Sequence, residues 1–91
     1  MLIVVSYDIP SDRRRPRLAN ALEDFGVRVQ YSVFECRLTP DQIDRLRARM
    51  AKEIEPAEDS VRIYRLCQDC KERVEILGQG KVTEDPEVYV L

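Results

Sequence analysis

The alternation of β-prone and helix-periodic stretches in this chain predicts a two-layer α+β domain. Three observations carry the prediction: a β-branched apolar run at residues 2–5, two stretches with apolar residues at helical spacing (Leu18 to Phe25 and Ile43 to Ile54), and a half-buried alternation at residues 60–66. At 91 residues there is room for one core built from a sheet and two helices, so 1–91 is expected to be a single domain. Hydrophobic residues at 44% and charged residues at 35% argue against disorder. No apolar run approaches the ~20 residues that cross a bilayer and Met1 leads directly into a strand, so no membrane association and a cytoplasmic location are expected.

The first element, Leu2-Ile3-Val4-Val5-Ser6-Tyr7-Asp8-Ile9-Pro10, reads as a central strand covered on both faces, because its apolar run is continuous. Ile9-Pro10 forces an extended exit and stops pairing, which leaves Asp8 at the strand's carboxyl end just before a turn and a helix. Ligands favour such edges; an Asx-type turn bond is the plain alternative for an aspartate there. Ser11 and Asp12 are N-cap candidates, and Leu18, Ala21, Leu22 and Phe25 give the first helix an apolar stripe that Gly26 ends. Arg13 and Arg17 share a side away from that stripe. Four arginines at a helix start oppose the macrodipole by about 0.3–1 kcal/mol each, so the cluster points either to an anionic partner or to a plain solvated face.

Residues 27–38 are β-rich and too long for one typical strand, so two strands broken around 30–32 are expected, without any Gly or Pro turn signal. Thr39-Pro40-Asp41-Gln42 is a capping-box start for a second helix, whose Ile43, Leu46, Met50 and Ile54 mark one face. Asp41/Arg45 and Arg49/Glu53 are i,i+4 pairs on its wet face, and it ends before Pro56. A strand follows at 60–66, then a shorter one at 74–77, the turn Gly78-Gln79-Gly80, and a β-prone run at 87–91. The order matches a ferredoxin-like βαββαβ sandwich (core 1–77) with an additional C-terminal strand or two from 78–91 pairing at a dimer interface.

Chemistry is constrained by what is missing. There is no histidine, so hydrolytic work must rest on carboxylates, a metal ion, or both. Cys67-Gln68-Asp69-Cys70 has the spacing of half a zinc site or a redox pair; lacking a second CxxC, a local disulfide is the simpler reading. Net charge is -2, but twelve of the fifteen basic residues are Arg, and residues 69–91 hold three bases against six acids. That segregation allows a basic patch in the first half to survive an acidic tail.

Tyr7-Asp8-Ile9-Pro10, Arg15 and Arg17, Arg28-Val29-Gln30-Tyr31-Ser32-Val33-Phe34-Glu35 and Asp59-Ser60-Val61-Arg62-Ile63-Tyr64 together resemble the CRISPR-associated protein 2 family, in register from about residue 1 to 77. The resemblance implies a homodimer in which Asp8 of each subunit meets across the two-fold and holds Mg²⁺ or Mn²⁺ shared between subunits. It implies a metal-dependent endonuclease acting on single-stranded RNA or double-stranded DNA, and a scaffold for the CRISPR integrase in spacer acquisition. Asp8 is then the catalytic and metal residue, and Tyr7, Arg15, Arg17, Arg28 and Phe34 are nucleic-acid-binding positions. Two alternatives share the fold: a non-catalytic DNA-binding platform, and a ribonuclease toxin of the virulence-associated D type. Two carboxylates at a two-fold repel unless a hard dication joins them, which is consistent with the first reading.

Overall fold

The computed structural model describes residues 1–83. Its elements are β1 (Leu2–Asp8), α1 (Arg14–Glu23), β2 (Val27–Gln30), β3 (Val33–Arg37), α2 (Pro40–Glu53), β4 (Ser60–Leu66) and a short α3 (Gln68–Glu72). The strands form one sheet in the order β2-β3-β1-β4, every neighbouring pair antiparallel. This is the ferredoxin-like arrangement, with β1 and β3 in the middle and two crossover helices.

Local chemistry explains the boundaries. Ser11 Oγ accepts from the backbone N–H groups of Arg13 and Arg14 at 3.3 and 3.1 Å, satisfying donors in the turn that leads into α1. The reciprocal capping box of α2 is present: Gln42 N–H donates to Thr39 Oγ1 at 3.3 Å and Thr39 N–H to Gln42 Oε1 at 2.8 Å. Its Arg49–Glu53 pair forms at 3.3 Å. Between β2 and β3 the break falls at Tyr31 and Ser32, with a register shift at 28–30. No described non-glycine residue has a positive φ, so this hairpin avoids the tight primed turns and the irregularity in β2 takes up the reversal.

One face of the sheet is covered. Ile3, Val5 and Tyr7 of β1 and Phe34 and Cys36 of β3 pack with Leu18 and Leu22 of α1 and with Ile43, Leu46 and Met50 of α2. Full burial of such side chains is worth about 1.5–3 kcal/mol each against exposure, and this layer is the core. Gly26 lets α1 return closely onto β3: a Cβ there would strike the Glu35 carbonyl oxygen and lie 2.5 Å from Cys36 Sγ.

The other face corrects an expectation. Rather than being covered on both sides, β1 turns Val4, Ser6 and Asp8 to a face that one chain leaves half-buried or exposed, beside Val33 and Glu35 of β3 and Ser60, Arg62 and Tyr64 of β4. Among the described residues this second face is covered only at its β2–β3 side, where the segment after α3 reaches Val33 and Glu35. A second correction concerns residues 74–77, which form no strand; the chain winds into α3 instead, started by Cys67, whose sulfur accepts the Cys70 N–H. Beyond α3, the chain crosses toward β2 and β3, where Thr83 donates to Glu35 Oε1 through its N–H at 3.1 Å and its hydroxyl at 2.8 Å. The strand expected at 87–91 lies outside the described residues. Among the described residues, no helix is long and apolar enough to cross a membrane.

Candidate nucleic-acid site at the end of the first strand

Asp8 is the last residue of β1, exposed, and opposite Ser60 of β4. Two depressions meet at it. The larger, ≈ 540 Å³, is lined by Tyr7, Asp8, Arg15, Arg28, Tyr31 and Ser32 among others. The smaller, ≈ 270 Å³, lies on the uncovered sheet face and is lined by Ser6, Asp8, Ser60, Arg62 and Tyr64 as well as Tyr7. A carboxylate is thus set on the ridge between a cleft carrying guanidinium groups and the open face of the sheet.

Tyr7 builds the cleft wall without entering it. Its ring is buried on the core face, its N–H donates to the Ser32 carbonyl at 3.1 Å, and its hydroxyl donates to the Tyr31 carbonyl at 3.1 Å. The turn between β2 and β3 is thereby tied to β1, and Tyr31 is held out at the rim, 96% exposed. Phe34 is fully buried, 6.4 Å from the Tyr7 ring centroid, with the Arg28 guanidinium carbon 5.4 Å above its own. No face of Phe34 is open to a base; the ring is a platform under Arg28.

The arginines of α1 divide. Arg14 is a structural clamp, its Nε and Nη2 donating to Asp59 at 2.9 and 3.1 Å and Nη2 also to Glu58 at 2.7 Å. The Asp59 carboxylate, whose side chain is inaccessible, also accepts the Glu55 N–H at 2.8 Å, and the Arg14 guanidinium holds it below the usual carboxylate range. Arg15 folds back on the loop after β1, donating to the carbonyls of Ile9 at 3.0 Å and Pro10 at 3.1 Å and pairing with Asp12 at 3.0 Å, and remains partly exposed at the cleft. Arg17 does not line the cleft; it reaches toward Glu53 of α2 at 4.0 Å. Of the six residues expected at the site, Asp8, Tyr7, Arg15 and Arg28 therefore come together at the cleft, while Phe34 supports it from beneath and Arg17 stands apart.

Two residues escaped the sequence reading. Arg62 shares the smaller depression with Asp8, a neighbourhood set by the β1–β4 register that no local pattern encodes. Asp59, adjacent to the strand start, gave no signal that it would capture one of the four arginines. Among the described residues, no group of three or more His, Cys, Asp or Glu side chains gathers as a metal cage. All three cysteines are free thiols.

The family model described as CRISPR associated protein Cas2 matches residues 1–74. A Synechocystis protein named CRISPR-associated endoribonuclease Cas2 3 is 45% identical over 85 residues, covering 93% of this chain and 92% of its own. A Thermus thermophilus protein named CRISPR-associated endonuclease Cas2 2 is 44% identical over 90 residues, covering 99% and 96%. Among solved structures, Streptococcus pyogenes Cas2 superposes with a TM-score of 0.75 at 36% identity, covering 86% of this chain and 100% of that one. A chain of a partial Cas6-RT-Cas1–Cas2 complex gives 0.72 at 30% identity, covering 84% and 89%.

Proposed function

Because the chain belongs to the CRISPR associated protein Cas2 family, we propose that it serves CRISPR adaptation as a homodimeric, nucleic-acid-binding scaffold for the CRISPR integrase, with a phosphodiesterase centre built on Asp8. The observation that carries this reading is the exposed Asp8 carboxylate, set between an arginine-lined cleft and an uncovered sheet face. The relatives named endoribonuclease or endonuclease support phosphodiester cleavage, and the neighbour drawn from a Cas1–Cas2 complex supports the integrase as partner.

A dimer gives the sheet its missing layer. Val4 and Tyr64 lie on the part of this face left open among the described residues, with Tyr64 47% exposed, and a second copy packed there would bury them and bring two Asp8 carboxylates toward one axis. The oxygen donors lining the depression with Asp8 in one subunit include its carboxylate and the hydroxyls of Ser6 and Ser60, a hard donor set that suits Mg²⁺ or Mn²⁺ and amounts to half a site, while Arg62 in the same depression donates to the Tyr64 hydroxyl at 3.5 Å. A second Asp8 completes it. When bound, the ion supplies positive charge to the phosphate oxygens and acidifies a coordinated water.

The chain's own residues do the positioning. Arg28, exposed above Phe34, takes a backbone phosphate, and Arg15 fixes the loop after Asp8 while offering its exposed edge to another. Tyr7 keeps the Tyr31 turn at the cleft rim, and Arg17 is an outlying phosphate contact on α1. Contacts of this kind give sequence-independent, salt-sensitive binding.

The test is Asp8→Ala, assayed separately for Mg²⁺-dependent cleavage of single-stranded RNA and double-stranded DNA and for spacer integration with the partner integrase. Cleavage should disappear, as it should on chelation of the ion, while integration persists. Unchanged cleavage by the variant would overturn the assignment of the centre. One carboxylate per subunit is a thin donor set for catalysis, and this favours a second reading in which the dimer is a non-catalytic DNA platform; wild-type protein inert toward both substrates with Mg²⁺ would select it.

A further inference from the structure

Cys67 and Cys70 play no part in the site just described. They bracket the first turn of α3, Cys67 in the N-cap position and Cys70 three residues on. Both are exposed and their sulfurs are 3.3 Å apart. A disulfide needs about 2.05 Å between sulfurs, so the two sulfurs must approach by roughly an ångström to bond, at a turn that lies outside the sheet. The third thiol, Cys36, is fully buried in the core, where burial pushes it up to about 11 and keeps it inert.

The two exposed thiols are not equivalent. The Cys70 N–H donates to Cys67 Sγ at 3.4 Å, and this bond, with help from the Cys70 side chain, holds Cys67 below the ordinary thiol range. Cys70 is raised, because it shares its proton with the Cys67 sulfur. The pair therefore presents one sulfur that gives up its proton more readily and a proton-holding neighbour 3.3 Å from it.

We propose that Cys67 and Cys70 form a redox-active dithiol that exchanges with low-molecular-weight disulfides and closes a bridge across the first turn of α3. The Cys67 thiolate attacks one sulfur of the disulfide, forming a mixed disulfide and expelling the other half as a thiolate. Cys70 then gives its proton to solvent and attacks Cys67 Sγ, and the second half leaves as a thiolate. The two cysteines lose two electrons, and the small disulfide gains them as it becomes two thiols.

The position of the turn gives the bridge a structural consequence. At α3 the chain leaves β4, an edge strand, and then crosses toward the other edge, where Val74, Ile76 and Lys81 line one groove with Arg28 and Val33. Closing the bridge pins the root of that crossing segment, the same segment whose Thr83 is bonded to Glu35.

The experiment places the full chain in glutathione buffers of stepped oxidised-to-reduced ratio, quenches with acid, alkylates, and reads intact mass. We expect both exposed thiols to disappear together while Cys36 alone remains to be alkylated, with no mixed species accumulating. Cys70→Ser should trap one glutathione on Cys67, and Cys67→Ser should take up glutathione on Cys70 severalfold more slowly. Hydrogen exchange on the oxidised protein should slow in residues 68–83 and stay unchanged in β1 and β3. Equal reaction rates of the two variants, with mixed disulfides accumulating in the parent protein, would overturn the proposal, as would covalent dimers on a non-reducing gel in place of the internal bridge. Matching melting curves for the two serine variants establish that the comparison is between folded proteins.

Discussion

Replacing Phe34 by Leu separates two roles that the sequence leaves merged. Phe34 is fully buried and carries Arg28 5.4 Å above its ring centroid, with Tyr7 6.4 Å away on the core side. Loss of the cation–π contact at an exposed guanidinium costs about 0.5–1 kcal/mol, and loss of the aromatic pair about 0.5–1.5 kcal/mol more. Leucine keeps the site apolar, so Phe34→Leu should destabilise by about 1–2.5 kcal/mol before any repacking cost. Only the first part belongs to Arg28. In a urea-unfolding cycle with Arg28→Ala and the double variant, at one protein concentration, the coupling energy should therefore be about 0.5–1 kcal/mol. In DNA-binding titrations followed by fluorescence anisotropy, Phe34→Leu should weaken affinity by about two- to fivefold, the same energy read as a ratio. In the Arg28→Ala background it should change nothing. An affinity loss of equal size with and without Arg28 would refute the reasoning, because the ring would then be acting on nucleic acid directly.

Gly26→Ala should lower stability by about 1–3 kcal/mol, since the added Cβ meets the Glu35 backbone and the buried Cys36 and β3 must give way; thermal unfolding would register this as roughly 4–8 °C per kcal/mol for a domain of this size. Gly78→Ala is the contrast, having open space around it but a φ of +92°, so its cost is local backbone strain and should leave β3 untouched in hydrogen exchange. The Arg14–Asp59 clamp predicts a pH dependence. Asp59 has a folded-state pKa below its unfolded value of about 3.9, so its stabilisation is complete above that pH and is lost as pH falls through the folded value. Acid-unfolding curves of Asp59→Asn should begin from lower stability at neutral pH and fall less steeply below about pH 4 than those of the parent protein; parallel curves would contradict the assignment.

Much of this fold was legible because its signals are local. The capping box at Thr39 fixes where α2 starts whatever surrounds it, and the stripe Leu18, Ala21, Leu22 can serve only one face of a helix. The break between β2 and β3 was legible from length alone, since a strand of twelve residues would outrun the sheet. What was not legible depends on register and on partners. Arg62 reaches the neighbourhood of Asp8 because β4 runs antiparallel beside β1 with Ser60 opposite Asp8, and a one-residue slip would have turned it to the other face. Residues 74–77 have strand composition and cross from β4 toward β2, yet they pair with neither edge of the sheet, and nothing in their local sequence signals that.

The arginines near the start of α1, one cluster in the sequence, are divided by the fold. A row of cations at a helix start is unfavourable for the helix, and each must find its own anion or carbonyl. Arg14 finds Asp59 and Glu58 across the fold, Arg15 finds the carbonyls of Ile9 and Pro10, and Arg17 reaches toward Glu53 of α2. The guanidinium groups left exposed at this cleft are therefore chiefly Arg28, on β2, and the outer edge of Arg15. It follows that Arg28→Ala should flatten the salt dependence of DNA binding by about one phosphate contact, whereas Arg14→Ala should act through stability instead. A charge cluster read from a sequence counts cations, but the number available to a ligand is what the fold has not already consumed.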